Sequence, residues 1–361
     1  MDKVCIVTGG TGGHIYPALA LADKIRALFP SVDILFIGND DRMESDVVPK
    51  AGYAFKALHT SGLVGNVFDK AKAVGQMVRA RRQAKDYLKA FKPDIVIGFG
   101  GYVSAPVILA AHSLHVPTMI HEQNSIVGKA NQLVMNQVDA IVTCYEKCSE
   151  VFPQDKIHLL GNPRATVAQE SKFDPDYFRS LGLDPDKKTI LVMMGSLGSS
   201  SVNELMKEAL PDADRSLQFL YACGKDNDQD LHLFDGSGNI FVTPYVDTLK
   251  IYKKISGIIC RAGATTIAEV TALGIPAILI PSPYVANNHQ FYNASVLVQA
   301  HAARMIEEKD LNAKTLREQI DALFLDETER QLTMKNAKRL GKPHAAYDMI
   351  DLCNQLVNAS K

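Results

Sequence analysis

The sequence predicts an α/β protein built from two doubly wound, parallel-sheet domains. Three observations carry this reading. Short apolar, strand-like runs alternate with helix-like stretches through most of the 361 residues, the pattern of parallel strands covered by helices on both faces. The alternation pauses once, at Gly161-Asn162-Pro163-Arg164, a turn-rich segment suited to a linker, and then restarts. Glycine-rich loops follow strands in both halves, at the carboxyl ends where doubly wound sheets take their ligands.

Taken in order, residues 4–7 read as a short buried strand. Thr8-Gly9-Gly10-Thr11-Gly12-Gly13-His14 follows, and then an apolar-periodic helix from about Tyr16 to Phe29. Glycines let backbone N–H groups approach a ligand closely, and the helix start behind them favours an anion. His14 sits at the mouth of this loop. Further strand-like runs are 34–37, 95–97, 118–121 and 140–143 in the first half. In the second half they are 189–194, 218–222, 240–242, 257–260 and 277–280, and 344–357 reads as a final helix.

The length suits two domains of ordinary size. With 47% hydrophobic and 22% charged residues the chain reads as soluble and globular. A net charge of −1 argues against a nucleic-acid partner. The six cysteines form no CxxC pair and no metal-ligand ladder; Cys5 and Cys260 lie in apolar runs, as buried thiols of a reducing compartment do. The N-terminus lacks the layout of a signal peptide, and no apolar run approaches the ~20 residues of a membrane span. Membrane contact is therefore expected to be peripheral.

The first loop fails as a dinucleotide fingerprint: G-x-G-x-x-G needs a third glycine where Ile15 stands. There is also no GxxxxGK[ST] phosphate loop. A second loop, Gly98-Phe99-Gly100-Gly101-Tyr102-Val103-Ser104, again lies between strand and helix. His121-Glu122-Gln123-Asn124, four polar residues at a strand end, are expected to line a cleft rather than enter the core. In the second half, Met194-Gly195-Ser196-Leu197-Gly198-Ser199-Ser200 and the run from Arg261 through Ala264, Thr265, Thr266, Ile267 and Ala268 to Glu269 each follow a strand and open a helix. Small residues there let helix-terminal amides meet a phosphate. Glu269, a turn deeper, is placed to accept from a ribose diol or to pair with a neighbour. A last polar group, Asn287 to Gln290 with Asn293, follows a proline turn.

Together these motifs, collinear over almost the whole chain, closely resemble the MurG family of peptidoglycan glycosyltransferases, within glycosyltransferase family 28. The resemblance implies the GT-B fold, two Rossmann-like domains facing across a cleft, here residues 1–163 and 164–343 with the last helix, 344–361, joined to the first. It implies transfer of N-acetylglucosamine from UDP-N-acetylglucosamine to an undecaprenyl-linked muramyl-peptide lipid, with no cofactor. The acceptor lipid and the membrane would belong to the first domain, and Gly100, Gly101, Tyr102 and Ser104 would lie on the acceptor side. Thr11, Gly12, Gly13 and Asn124 match donor contacts made from the first domain. Arg164, Ser196, Val246, Ala264 to Glu269 and Gln290 match nucleotide and sugar contacts. Val246 would read the uracil through its backbone, the Ala264–Thr266 amides would take phosphate, Glu269 ribose and Gln290 the sugar. Met194 and Leu197 depart from the family pattern, where a glycine and a glutamine are usual.

An inverting displacement at the anomeric carbon needs a base for the attacking hydroxyl. His14 is the first candidate and Glu122 the reserve; no acidic pair suggests an obligatory metal. From Phe68 to Lys92 the chain carries Lys70, Lys72, Arg79, Arg81, Arg82, Lys85, Lys89 and Lys92 against Asp69 and Asp86, a net of +6. Val74, Met77, Val78, Leu88 and Phe91 recur among them at helical spacing. Such a helix suits an anionic membrane surface; the resemblance implies that this is the cytoplasmic face of the cell membrane, with other cell-wall synthesis proteins as partners.

Overall fold

The structure, a computed structural model, describes residues 1–62, 66–195, 198–224 and 227–360. The chain divides into two compact units, residues 1–164 with 344–361, and residues 165–343. In chain order the first unit contains β1 (Lys3–Val7), α1 (Gly12–Leu28), β2 (Asp33–Asn39), α2 (Glu44–Lys50), β3 (Ala54–Leu58) and α3 (Val67–Phe91). It continues with β4 (Ile95–Gly98), α4 (Ser104–His112), β5 (Thr118–Glu122), α5 (Lys129–Val134), β6 (Ala140–Thr143), β7 (Ile157–His158) and the start of α6 (Pro163–Glu170).

The second unit begins with α7 (Pro175–Ser180), β8 (Lys188–Met193), α8 (Ser200–Ala209), β9 (Leu217–Ala222), β10 (Ile240–Thr243) and α9 (Thr248–Ile251). Then come β11 (Gly257–Cys260), α10 (Ala264–Leu273), β12 (Ala277–Leu279), α11 (His289–Gln299), β13 (Arg304–Met305), α12 (Ala313–Ile320) and α13 (Glu327–Leu340). The last helix, α14 (Ala345–Ala359), returns to the first unit.

The strand orders are β3-β2-β1-β4-β5-β6-β7 and β10-β9-β8-β11-β12-β13, with neighbours parallel. Each sheet winds outward from its first strand in one direction and then restarts on that strand's other side. This places a topological switch point between β1 and β4 in one unit and between β8 and β11 in the other. Loops leaving the two strands there diverge and open a crevice.

The central strands are legible in the sequence because burial on both faces makes them continuous apolar runs, as in β1 and β4. Three strands are additional to those the sequence predicts. The β3 edge strand carries Lys56 and is buried only in part, and β7 and β13 have two residues each, too few to show a period. The first unit's core includes Ala346, Met349, Ile350, Cys353 and Val357 of α14 packed with β1, β2 and α1, which fastens the C-terminus to the N-terminal sheet. The second unit has its own core around Ile190, Val192, Phe219, Ile259 and Ile278.

The basic helix α3 is anchored by Ala73, Ala80, Ala84 and Leu88, all buried, a heptad-like stripe of small and apolar residues. The apolar residues picked out from sequence therefore divide. Leu88 belongs to the core, whereas Val74 and Val78 are about half exposed, with Lys72, Arg79, Arg81 and Arg82 exposed on the same helix. The Lys70 side chain lies outside the described ones.

Candidate active site

Val7 and Gly98 are register partners at the ends of β1 and β4, so the first two glycine loops leave the sheet side by side. Gly101 has φ +82°, and a Cβ there would lie 2.5 Å from the Gly9 carbonyl oxygen. Gly100 has φ +105°, and its Cβ would lie 2.9 Å from His14 Nε2. Both positions need glycine twice over, for conformation and for space. Ser104 is buried and closes its own loop, donating to Gly100 O at 2.8 Å and accepting from Gly100 N at 3.1 Å. Tyr102 packs toward Gly62.

The helix after the first loop begins at Gly12, four residues before the onset of apolar periodicity. Thr11 is its N-cap but makes no side-chain cap bond; in the first turn the His14 N–H donates to Thr11 O at 3.0 Å, while the Gly12 and Gly13 N–H groups precede any helical acceptor. His14 is half-buried. Its Nδ1 lies 2.8 Å from Gly9 O. A carbonyl can only accept, so Nδ1 carries the proton and donates, and in the neutral ring Nε2 holds the lone pair. The hydrogen-bond partner thus sets the tautomer of the neutral ring.

The polar cluster at the end of β5 sits differently from its sequence expectation. His121, Glu122 and Gln123 are 0%, 1% and 5% exposed. They belong to the interior rather than to an open lining, and in Glu122 local donors satisfy the carboxylate. Glu122 accepts from Asn124 N at 3.1 Å, Gly128 N at 2.8 Å and Asn131 Nδ2 at 2.9 Å, which fixes the turn from β5 into α5. Burial raises its pKa, and those same three donors act against the rise. This makes Glu122 an anchor and disfavours it as the reserve base. Asn124 is half-buried in the turn that Glu122 holds.

His121 Nε2 donates to Gly161 O at 3.1 Å, tying β5 to the segment before Arg164. Burial lowers its pKa from 6.5 to about 4. An imidazole neutral in the fold but protonated in the unfolded chain costs stability as pH falls from 6.5 to about 4. Full expression of the shift amounts to roughly 3 kcal/mol. Glu122, with a raised value, acts oppositely: it favours the fold as pH falls toward its unfolded-chain value of 4.5. His121→Asn is therefore expected to flatten the acid-side fall in stability, read by urea titrations between pH 4 and 7. Superimposable wild-type and variant profiles would refute the assignment.

In the second unit a pocket of about 410 Å³ opens at the switch point. Gly195, Gly198 and Ser199 line it from the loop after β8, Arg261, Gly263 and Thr266 from the loop and helix after β11, and Ser282, Tyr284 and Gln290 from beyond β12. Its floor includes the start of α10, whose N-cap is Gly263 with no side-chain cap. Uncapped helix-terminal amides and the macrodipole suit an anion. Thr265 Oγ1, at that same turn, is buried without a partner among the described residues. Ala264, Thr265 and Thr266 are half-buried, Ile267 and Glu269 buried, and Ala268 half-buried.

Arg261 is held in place by Glu308 at 2.7 Å, Ile280 O at 3.2 Å and Ser199 Oγ at 2.9 Å. Gln290 accepts from Ser282 N at 2.9 Å. Glu269 is 4% exposed and accepts from Tyr252 Oη at 2.9 Å. Val246 is buried. Arg164 lies at the end of the first unit, its N–H donating to Asn162 Oδ1 at 3.0 Å. Ser196 and Leu197 lie outside the described residues.

Sequence reasoning missed Glu44, Asn131, Tyr252 and Arg261 as supports of these positions. Glu44 and Tyr252 lie in no local motif with the groups they serve: Glu44 is 34 residues from Gly10, and Tyr252 is 17 from Glu269. For Arg261 the signal was its place at the head of the last glycine run.

The glycosyltransferase family 28 N-terminal domain matches residues 4–143, and the family 28 C-terminal domain matches residues 189–351. The UDP-N-acetylglucosamine–N-acetylmuramyl-(pentapeptide) pyrophosphoryl-undecaprenol N-acetylglucosamine transferase of Bacillus cytotoxicus is 40% identical, over 98% of this chain and 99% of the relative. A Bacillus cereus protein of the same description is 41% identical over the same shares. Among solved structures, Acinetobacter baumannii MurG superposes with a TM-score of 0.78 at 27% identity, covering 98% of this chain and 100% of that one. With both family 28 halves matched in order and the likeness running end to end, the chain belongs to glycosyltransferase family 28, in its MurG branch.

Proposed function

We infer that the chain is a UDP-N-acetylglucosamine-dependent hexosyltransferase of peptidoglycan synthesis. It moves N-acetylglucosamine to the muramyl C4 hydroxyl of undecaprenyl-pyrophosphoryl-MurNAc-peptide, lipid I, and yields lipid II. The relatives named above carry this activity in their descriptions. The observation that bears the chemistry is the His14 hydrogen bond to Gly9 O, which leaves Nε2 as the basic nitrogen of the neutral ring.

The step is a single displacement. Nε2 of His14 takes the hydroxyl proton as the oxygen attacks the anomeric carbon. The bond from that carbon to the donor's phosphate oxygen breaks, and UDP leaves with the electron pair. Charge grows on the diphosphate, where fixed donors contribute most. We assign the diphosphate to the start of α10, with the Ala264–Thr266 amides and the Thr265 and Thr266 hydroxyls as donors. Glu269, oriented by Tyr252, takes the ribose, Val246 the uracil and Gln290 the sugar; Ser196 and Arg164 complete the donor set. The first unit, with Gly100, Gly101 and Tyr102, serves the acceptor. Thr11, Gly12, Gly13 and Asn124 contact the donor from that unit.

The test is transfer of radiolabel from UDP-N-acetylglucosamine to a lipid I analogue, with UDP-glucose as control. Labelled lipid II from the first donor alone supports the reading. Donor hydrolysis, or epimer formation without acceptor, overturns it.

The acceptor is membrane-linked, and no described helix is long and apolar enough to cross a bilayer. We assign peripheral binding at the anionic cytoplasmic face to α3, through exposed Val74 and Val78 among Lys72, Arg79, Arg81 and Arg82. At about 1 kcal/mol per basic residue, Arg79, Arg81 and Arg82 all changed to Glu should weaken binding to phosphatidylglycerol vesicles by at least about 100-fold, the loss of three positive charges alone accounting for that much. Co-sedimentation unaffected by these changes, or by removal of anionic lipid, would refute the assignment.

A further inference from the structure

Glu44 is marked by no motif and is unused by the chemistry above. Its side chain is fully buried in the first turn of α2. Oε1 accepts from Asn39 N and Oε2 from Gly10 N, each at 3.0 Å. The Gly10 N–H belongs to the same peptide group as the Gly9 carbonyl, which accepts from His14 Nδ1 at 2.8 Å. A trans peptide points its N–H and C=O in opposite directions. One planar amide therefore joins a buried carboxylate to the imidazole.

We propose that Glu44 is a positioning residue for His14, acting through the Gly9–Gly10 peptide. The proposal rests on His14 being the base. A carboxylate on the N–H side polarises the amide and strengthens the bond that its oxygen accepts. That bond holds the Nδ1–H tautomer and supports the imidazolium formed when Nε2 takes the hydroxyl proton. Elsewhere a carboxylate bonded directly to the ring does this work; here a peptide group stands between.

The packing around Glu44 fits the role. A Cβ on Gly9 would lie 2.6 Å from Glu44 Oε1, and one on Gly38 would lie 2.6 Å from its Cγ. Gly9 is not among the positive-φ glycines, so what requires glycine there is room, for this carboxylate and for Val103, whose Cγ1 would lie 2.8 Å from the new Cβ. Behind the carbonyl that His14 uses, Gly101 closes the other side. The peptide is thus held from both ends, by Glu44 and by the second glycine loop.

The experiment combines ¹⁵N-histidine NMR with kinetics. In the wild-type protein the neutral His14 ring should be the Nδ1–H tautomer, assigned by its loss in His14→Ala. Glu44→Gln keeps the size and removes the charge, and should admit the Nε2–H tautomer. It should lower kcat roughly 10- to 100-fold, less than the loss of the base itself, with KM for UDP-N-acetylglucosamine within about twofold. In a His14→Ala background Glu44→Gln should lower kcat no further. An Nε2–H tautomer in the wild type, which needs no substitution to observe, would overturn the proposal. So would an equal loss of kcat with and without His14, the mark of a prop for the loop alone. If His14→Ala were itself fully active, the base assignment would fall on its own, while the tautomer change in Glu44→Gln would still report whether Glu44 sets the ring.

Discussion

His14→Ala is expected to lower kcat by roughly 10²- to 10⁴-fold, the usual contribution of a positioned base, while UDP binds as in the wild type. The two readouts separate because the residues involved are separate. The proposed base, His14, stands on the first turn of α1, held by Gly9 O, and the proposed diphosphate, ribose and uracil contacts lie in the second unit. Removing the imidazole leaves the Gly12 and Gly13 amides where they are, so the fold and the loop persist. Initial rates with a lipid I analogue and calorimetric titration with UDP check both halves of the expectation. Near-wild-type turnover would remove His14 as the base, and lost UDP affinity would move its role to donor binding.

Gly101→Ala should be nearly as damaging, although the residue holds no reacting atom. The new methyl carbon would start 2.5 Å from Gly9 O and 2.9 Å from Gly9 C, and backbone cannot yield as a side-chain tip does. At φ +82° the alanine is strained as well. The two loops must part, and the carbonyl that orients His14 moves with them. A displacement of about 1 Å can cost on the order of 100-fold in rate, and strained backbone about 1–3 kcal/mol in stability. The expected signature is a kcat loss of that order in a protein that still unfolds cooperatively. Gly75→Ala is the control, since a Cβ there meets nothing within 4 Å. Equal activity of the two variants would show that the loops do not depend on each other.

Much of this arrangement was legible in the chain because doubly wound sheets put their signals on short stretches. Buried parallel strands such as 95–98 read as apolar runs, and the glycine loops mark the strand ends that flank each switch point. What remained hidden was chiefly what sequence distance conceals. Glu44 serves Gly10 from the first turn of α2, which follows β2, because β2 lies beside β1 in the sheet. Nothing local to Glu44 announces that service. The run His121-Glu122-Gln123 misled for a different reason. Polarity there predicted an open surface, but a carboxylate that meets two backbone N–H groups and an amide can be buried. The start of α1 was placed late because its first turn carries glycines and a histidine instead of the apolar periodicity by which a helix is recognised.

The central claim is a single displacement, with the hydroxyl deprotonated at His14 Nε2 as it attacks. Its most direct test is the configuration of the new glycosidic bond, read from the anomeric proton coupling in the NMR spectrum of product made from UDP-α-N-acetylglucosamine. The account predicts a β linkage and no covalent sugar–protein species. An α linkage would contradict it, since retention requires either two displacements or a leaving group and nucleophile on the same face.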